Sequence, residues 1–85
     1  VRDGSRTVDL YPNPVKDNLF VRTGSVMDAD VLITSQSGAT VLKSEGAKMD
    51  PFAPLKFDMS SLPGGTYYVR VKGEGIDEVY PIAKQ

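Results

Sequence analysis

The chain has 85 residues, with ten Lys and Arg against eleven Asp and Glu, a formal net charge of −1, and neither cysteine nor histidine. A chain of this length supports one domain with one core, and without cysteine it can be stabilised neither by disulfides nor by thiolate-bound zinc. The balanced, dispersed charge argues against nucleic acid as a partner, and no apolar run approaches the roughly 20 residues that a direct membrane span needs.

The first nine residues are polar and include Gly4 and Ser5. This composition predicts a linker over residues 1–9 that leads into a first short strand, with the domain proper at residues 10–85. Because the sequence begins with Val1 and not with methionine, we expect it to be part of a longer protein.

Beyond this linker the apolar residues recur with a period of two, which is typical of β-strands. The predicted strands are residues 18–23, 30–34, 40–44, 55–59, 66–72 and 78–84. In four of these strands the apolar side chains share one face: Leu19 with Val21; Val31 with Ile33; Leu55 with Phe57 and Met59; and Tyr67 with Val69 and Val71. In the last strand, Val79 and Ile82 are predicted to face inwards. The turn cluster Ser35-Gln36-Ser37-Gly38 predicts that the second and third of these strands form a hairpin.

Prolines mark the interruptions of this pattern. Pro51 and Pro54 predict a loop, or the start of an edge strand, over residues 47–54, and Pro81 predicts that the last strand is an edge strand or carries a bulge. About seven short strands with turn signals every 8 to 12 residues predict an all-β, immunoglobulin-like antiparallel β-sandwich.

The side-chain inventory also limits the chemistry. Without histidine and cysteine the chain cannot build a Ser-His or Cys-His nucleophile, so we expect neither enzyme activity nor a cofactor. Asp28 and Asp30 lie two residues apart and could converge on a calcium ion from a loop, although such acidic pairs are usually solvated. The interpretation as solvated residues is favoured.

Two proline-containing segments are more specific sequence signals than the acidic pair. In Tyr11-Pro12-Asn13-Pro14, two prolines fix φ and remove two donors, which makes either a stiff structural entry into the sandwich or a preformed recognition surface; the structural interpretation is favoured. The segment Leu62-Pro63-Gly64-Gly65-Thr66-Tyr67 resembles a tyrosine corner, in which the Tyr67 hydroxyl bonds to upstream backbone and Leu62 fills the core.

Taken in order, these segments resemble the type A C-terminal sorting domain of the type IX secretion system, from about residue 10 to the end. The resemblance rests on Tyr11-Pro12-Asn13-Pro14 with Asn18-Leu19-Phe20-Val21, on Ser37-Gly38 after a Val-x-Ile strand, on residues 62–69, and on the terminal Ile82-Ala83-Lys84. The strand before Gly38 departs from the family pattern, because Gln36 and Ser35 occupy the places where an aliphatic residue and an Asp or Asn are usual.

The resemblance implies that an N-terminal signal brings the parent protein into the periplasm, that the type IX outer-membrane translocon recognises the domain, and that the protein reaches the cell surface or is secreted. The implied partners are this translocon, a sortase-like peptidase that usually removes the domain, and upstream cargo domains of the same chain. The implied recognition residues are Pro12, Asn13, Pro14, Gly65, Tyr67, Pro81, Ile82, Ala83, Lys84 and Gln85. A cleavage point would lie in the linker, at Gly4 and Ser5.

A terminal edge strand could also pair its outer backbone groups with a receptor strand. On this view, deletion of residues 82–85 should block export and leave most of the fold intact.

Two other functions stay open. The domain could remain attached as a docking module of a cell-surface secretion or attachment complex. A fibronectin-like or carbohydrate-binding accessory module is the other alternative, and a sugar site would need exposed aromatic residues on one platform, for which Phe20 and Tyr68 are the candidates.

Overall fold

The computed structural model describes residues 8–24, 26–73 and 75–85 of the chain. Its seven strands are β1 (Val8–Tyr11), β2 (Asn18–Thr23), β3 (Met27–Ser35), β4 (Thr40–Met49), β5 (Leu55–Asp58), β6 (Gly65–Gly73) and β7 (Ile76–Lys84). All strand pairs are antiparallel, in a three-stranded sheet of order β1-β2-β5 and a four-stranded sheet of order β4-β3-β6-β7. The predicted small, all-β sandwich is confirmed.

The core lies between the two sheets and is built from alternate residues of each strand, as the period of two requires. Its buried members are Val15, Leu19, Val21, Ala29, Val31, Ile33, Met49, Phe57, Met59, Tyr67, Val69, Val71 and Ile82. Every apolar set predicted to share a strand face contributes to this core, with Leu55 half-buried against it.

The hairpin between β3 and β4 is confirmed, but the predicted loop over residues 47–54 begins too early. β4 continues to Met49, which is completely buried. Ala29 pairs with Ala47, and Val31 pairs with Ser44, so two steps along β3 correspond to three steps along β4. β4 therefore has one extra residue at this point. This bulge lets β4 bend and continue along β3, a feature that a simple count of period two does not reveal.

The last strand also corrects one prediction. β7 is an edge strand, as Pro81 predicted, and its pairing with β6 runs without a register shift from Gly65↔Lys84 to Gly73↔Ile76. Val79 and Ile82 differ by an odd number of positions, so an uninterrupted strand places them on opposite faces. Ile82 is 2% exposed, whereas Val79 is 55% exposed, so the inward assignment of Val79 is wrong.

Substitution of these two residues tests the alternation of β7. Ile82→Ala removes buried methyl groups and should lower the free energy of unfolding by about 2–5 kcal/mol. Val79→Ala lies on the solvent face and should change it by no more than about 0.5 kcal/mol. Urea unfolding of both variants measures the difference, and equal destabilisation would contradict the alternation described for β7.

Candidate functional site

The segment between β1 and β2 forms a proline corner, residues 12–14, at one end of the sandwich. Both X-Pro peptide bonds in it, Tyr11-Pro12 and Asn13-Pro14, are cis. Pro12, Asn13 and Pro14 are all exposed, and the next residue, Val15, is completely buried. An exposed, donor-poor corner is therefore anchored by an apolar side chain that follows it directly.

The proline corner binds the end of β7 through its central side chain and the backbone that follows. The amide of Ala83 donates to Asn13 Oδ1 at 3.1 Å. The amide of Val15 donates to the Ala83 carbonyl at 2.7 Å, and the amide of Gln85 donates to the Val15 carbonyl at 2.9 Å. Val15 and Lys84 thus form a short parallel bridge, which joins the segment after β1 to the outer edge of the other sheet.

These bonds revise the view of residues 82–85 as an unpaired terminal edge. The outward backbone groups of Ala83 and the amide of Gln85 already have partners in the chain, and the side chain of Ile82 is part of the core. Deleting residues 82–85 would therefore remove core packing together with the surface. The expectation that most of the fold survives the deletion is not compatible with this packing.

The segment before β6 supports the same strand from its other side. Tyr67 is 5% exposed and donates its hydroxyl to the Pro63 carbonyl at 2.6 Å, so the predicted tyrosine corner is confirmed. Gly65 pairs with Lys84 and has a φ of 149°, a value that residues with a side chain rarely adopt. A Cβ on Gly64 would come within 3.3 Å of the Lys84 carbonyl oxygen.

An open groove of about 290 Å³ lies where these segments meet. Its lining residues are Asn13, Thr66, Pro81, Ile82 and Ala83. Pro81 contributes a surface without a backbone donor, so the groove combines apolar side chains with few polar backbone groups. We call the whole arrangement, residues 12–15, 63–67 and 81–85, the terminal corner.

The structure places every described member of the predicted recognition set in the terminal corner, but not all of them at its surface. Tyr67 and Ile82 are buried and can influence a partner only by shaping the surface. The exposed members are Pro12, Asn13, Pro14, Gly65, Pro81, Ala83 and Gln85, with Lys84 partly exposed. Gly4 and Ser5 lie outside the described residues.

Sequence reasoning missed two residues of this site, Val15 and Thr66. Val15 carries two of the three bonds to the end of the chain, and Thr66 lines the groove opposite Ala83. The signal for Val15 was present, since it is an isolated apolar residue directly after the second proline. Thr66 could be found only from the register of β6 and β7.

One member of the acidic pair considered for calcium, Asp30, has a structural role. The carboxylate of Asp30 accepts the amide of Gly46 at 2.7 Å and so stabilises the bulge in β4. Asp28 and Asp30 both lie on β3, where their spacing directs them to the same outer face. Within the described ranges, no group of three or more His, Cys, Asp or Glu side chains is placed to hold a metal ion.

The two aromatic residues considered for carbohydrate binding do not share a platform. Phe20 lies on β2 in the three-stranded sheet, whereas Tyr68 lies on β6 in the other sheet. Phe20 instead stacks on Tyr11, with ring centroids 5.5 Å apart, and the Arg22 guanidinium lies 6.0 Å from the Tyr11 centroid. Because the two rings stack, Tyr11 covers one face of the Phe20 ring, and that face is not open to a sugar ring.

Together, the fold and the terminal corner define a small immunoglobulin-like β-sandwich domain whose last strand is locked to the segment after its first. Comparison with family models then assigns the chain more closely: it belongs to the secretion system C-terminal sorting domain family, whose model matches residues 9–83. Neither the comparison with curated proteins nor that with solved structures finds a match.

This family comprises sorting signals of type IX secretion, and it is not a family of enzymes. Membership implies interaction with the type IX secretion system and export of the parent protein to the cell surface or the medium. No helix in the described parts of the chain is long and apolar enough to cross a membrane.

The hydroxyl of Tyr67 provides the first test of the terminal corner. Tyr67→Phe removes the bond to the Pro63 carbonyl and leaves that oxygen without its donor, which should lower the free energy of unfolding by about 1 kcal/mol. Tyr68→Phe is the matched control, because Tyr68 lies on the solvent face of the same strand and should show almost no change. Chemical denaturation of both variants measures this, and an unchanged stability of Tyr67→Phe would refute the tyrosine corner.

The turn at residues 58–60, which precedes the tyrosine corner, makes a contribution to stability that depends on pH. Asp58 Oδ1 accepts both the Ser60 hydroxyl at 2.6 Å and the Ser60 amide at 3.0 Å. Both bonds lower the pKa of Asp58 below its ordinary value, and the bond from the Ser60 hydroxyl is the larger cause. A lowered folded-state pKa stabilises the domain above the ordinary pKa of about 4, and this contribution is lost as the pH falls through the folded-state pKa.

Ser60→Ala should therefore raise the pKa of Asp58 towards its ordinary value, because the main cause of the shift is removed. The variant should also lose less stability than the unmodified chain on acidification, since its folded and unfolded pKa values lie closer together. NMR titration of the Asp58 carboxyl group measures the first effect and denaturation at several pH values the second. An Asp58 pKa that does not move in Ser60→Ala would show that the hydroxyl bond has no such role.

Proposed function

We propose that the terminal corner is the surface by which the type IX outer-membrane translocon recognises the domain after the parent protein has reached the periplasm. The observation that carries the proposal is the convergence of three distant segments, residues 12–15, 63–67 and 81–85. Asn13 and Val15 bond to the last strand from one side, and β6 pairs with it from the other. The exposed groove on this corner supplies a site for a partner side chain.

Rigidity supports this assignment. A recognition surface that is ordered before binding loses little conformational entropy when it docks. The two prolines restrict φ, the Asn13 side chain fixes the last strand, and Tyr67 fixes the segment before β6. The same bonds form only when both sheets are assembled, so the corner exists only in the folded domain.

The domain itself is proposed to carry no catalysis, because its side chains include neither histidine nor cysteine to serve as base or nucleophile. Its chemistry would be supplied by a partner, a sortase-like peptidase that cuts the linker around Gly4 and Ser5 and joins the cargo to the cell surface. The linker composition supports this, since small polar residues are readily accessible to a peptidase.

Asn13 offers the sharpest test of the proposal. Asn13→Ala removes the acceptor for the Ala83 amide. Because such a hydrogen bond stabilises the ordered form of the terminal corner by about 1 kcal/mol, its loss would reduce the ordered form roughly fivefold relative to the open form. In a bacterium with a type IX system, a reporter fused to this variant should show reduced export. Asn13→Asp keeps an acceptor oxygen at the same place and should retain more export than Asn13→Ala.

Gln36→Ala serves as the matched control, since Gln36 is an exposed amide in the turn at the same end of the sandwich but outside the terminal corner. It should leave export unchanged. Circular dichroism of each isolated variant establishes that the sandwich still folds. Full export of folded Asn13→Ala would rule out the terminal corner as the recognised surface.

The mass of the exported reporter decides between a disposable signal and a retained module. Loss of the C-terminal domain by a cut within residues 1–9 is the expected result. An intact C-terminus on a surface complex would instead favour the docking module and remove the peptidase from the proposal.

A further inference from the structure

The end of the sandwich opposite the terminal corner carries the most exposed large apolar side chain of the described residues, Phe52, at 94% exposure. Phe52 lies in the turn between β4 and β5 and is held there locally. Its amide donates to Asp50 Oδ1 at 2.7 Å, and the Ala53 amide lies 3.3 Å from the Asp50 carbonyl oxygen. The turn is therefore ordered in a form that directs an aromatic ring into solvent.

A second exposed apolar residue lies at the same end. Val26, 60% exposed, directly precedes Met27, which pairs with Met49, so Val26 lies across from the beginning of the Phe52 turn. Single exposed apolar residues are common on protein surfaces. Two of them lie at this end, and Phe52 is on an ordered turn, which favours this end as a contact surface.

The chain enters the described domain at this same end. β1 begins at Val8, which pairs with Thr23 at the end of β2, immediately before the turn that leads to Val26. We call this surface the entry end: Val8, Val26 and residues 50–54. A domain that precedes the sandwich on the polypeptide is therefore connected at the end of the sandwich that carries Phe52.

The size of the entry end limits what can cover it. The domain measures 38 × 23 × 23 Å along its principal axes. Strands of nine residues are about 30 Å long, so they must lie along the longest of these axes. The end face then has an area of roughly 500 Å², below the roughly 800 Å² per partner that stable association of separate proteins buries. A tethered neighbour needs less area, because a short linker gives an effective concentration on the order of 1 mM.

From this geometry we infer that the entry end docks on the domain that precedes it in the same polypeptide, with Phe52 filling an apolar pocket of that domain. The inference rests on the proposed function, in which the chain is the terminal domain of a longer cargo protein. Docking at the entry end leaves the terminal corner, at the far end of the strands, free for the secretion machinery.

Hydroxyl-radical footprinting of the intact parent protein and of the isolated 85-residue chain tests this contact. If a tethered contact has a dissociation constant of about 0.2 mM, Phe52 should be modified about fivefold more slowly in the parent than in the isolated chain. Val79, exposed on the face of β7, should react equally in both. Phe52→Ser in the parent should restore the reactivity of Val26 to that of the isolated chain, whereas Val79→Ser should not.

Equal reactivity of Phe52 in the parent and in the isolated chain would overturn the inference. Protection of Phe52 in the isolated chain that grows with its concentration would also overturn it, because the occupant would then be a second copy. These outcomes are independent of export: full export of a reporter fused to folded Asn13→Ala refutes the proposed function, whereas the footprint reports only whether the entry end is covered.

Discussion

Three hydrogen bonds between residues 13–15 and residues 83–85 close one end of this sandwich, and the shape of the terminal corner depends on them. They connect the segment after β1, in one sheet, to the outer edge of β7, in the other. A domain of this size buries only about 60% of its unfolded surface, so a link between its two sheets matters more than in a larger protein. The link also covers part of an edge strand that would otherwise be open to unintended pairing.

The other features of the terminal corner support these three hydrogen bonds. Prolines on both sides of Asn13 remove competing donors and restrict the backbone, so its side-chain oxygen remains available to the Ala83 amide. Val15 fills the core directly below, and Tyr67 fixes the neighbouring segment through the Pro63 carbonyl. Surface and core are thus built from adjacent residues, which makes the recognised surface inseparable from the folded state.

Much of this architecture could be predicted from the sequence, because strand alternation and turn residues are local signals. The faces of β2, β3, β5 and β6, the hairpin at Gly38 and the hydroxyl bond of Tyr67 were all accessible in this way. The continuation of β4 and the outward face of Val79 were not, since both depend on pairing register and on a bulge. The meeting of residues 13 and 83 was beyond any local pattern, because 70 positions separate them.

Hydrogen exchange of individual β7 amides tests the central link most directly. The outward direction of the Ala83 amide places those of Asp77 and Val79 on the same edge, because backbone groups alternate along an unshifted strand. Ala83 and Gln85, bonded to Asn13 and Val15, should exchange slowly, whereas Asp77 and Val79 should exchange rapidly. Exchange of Ala83 as fast as that of Val79 would show that the proline corner does not hold the last strand.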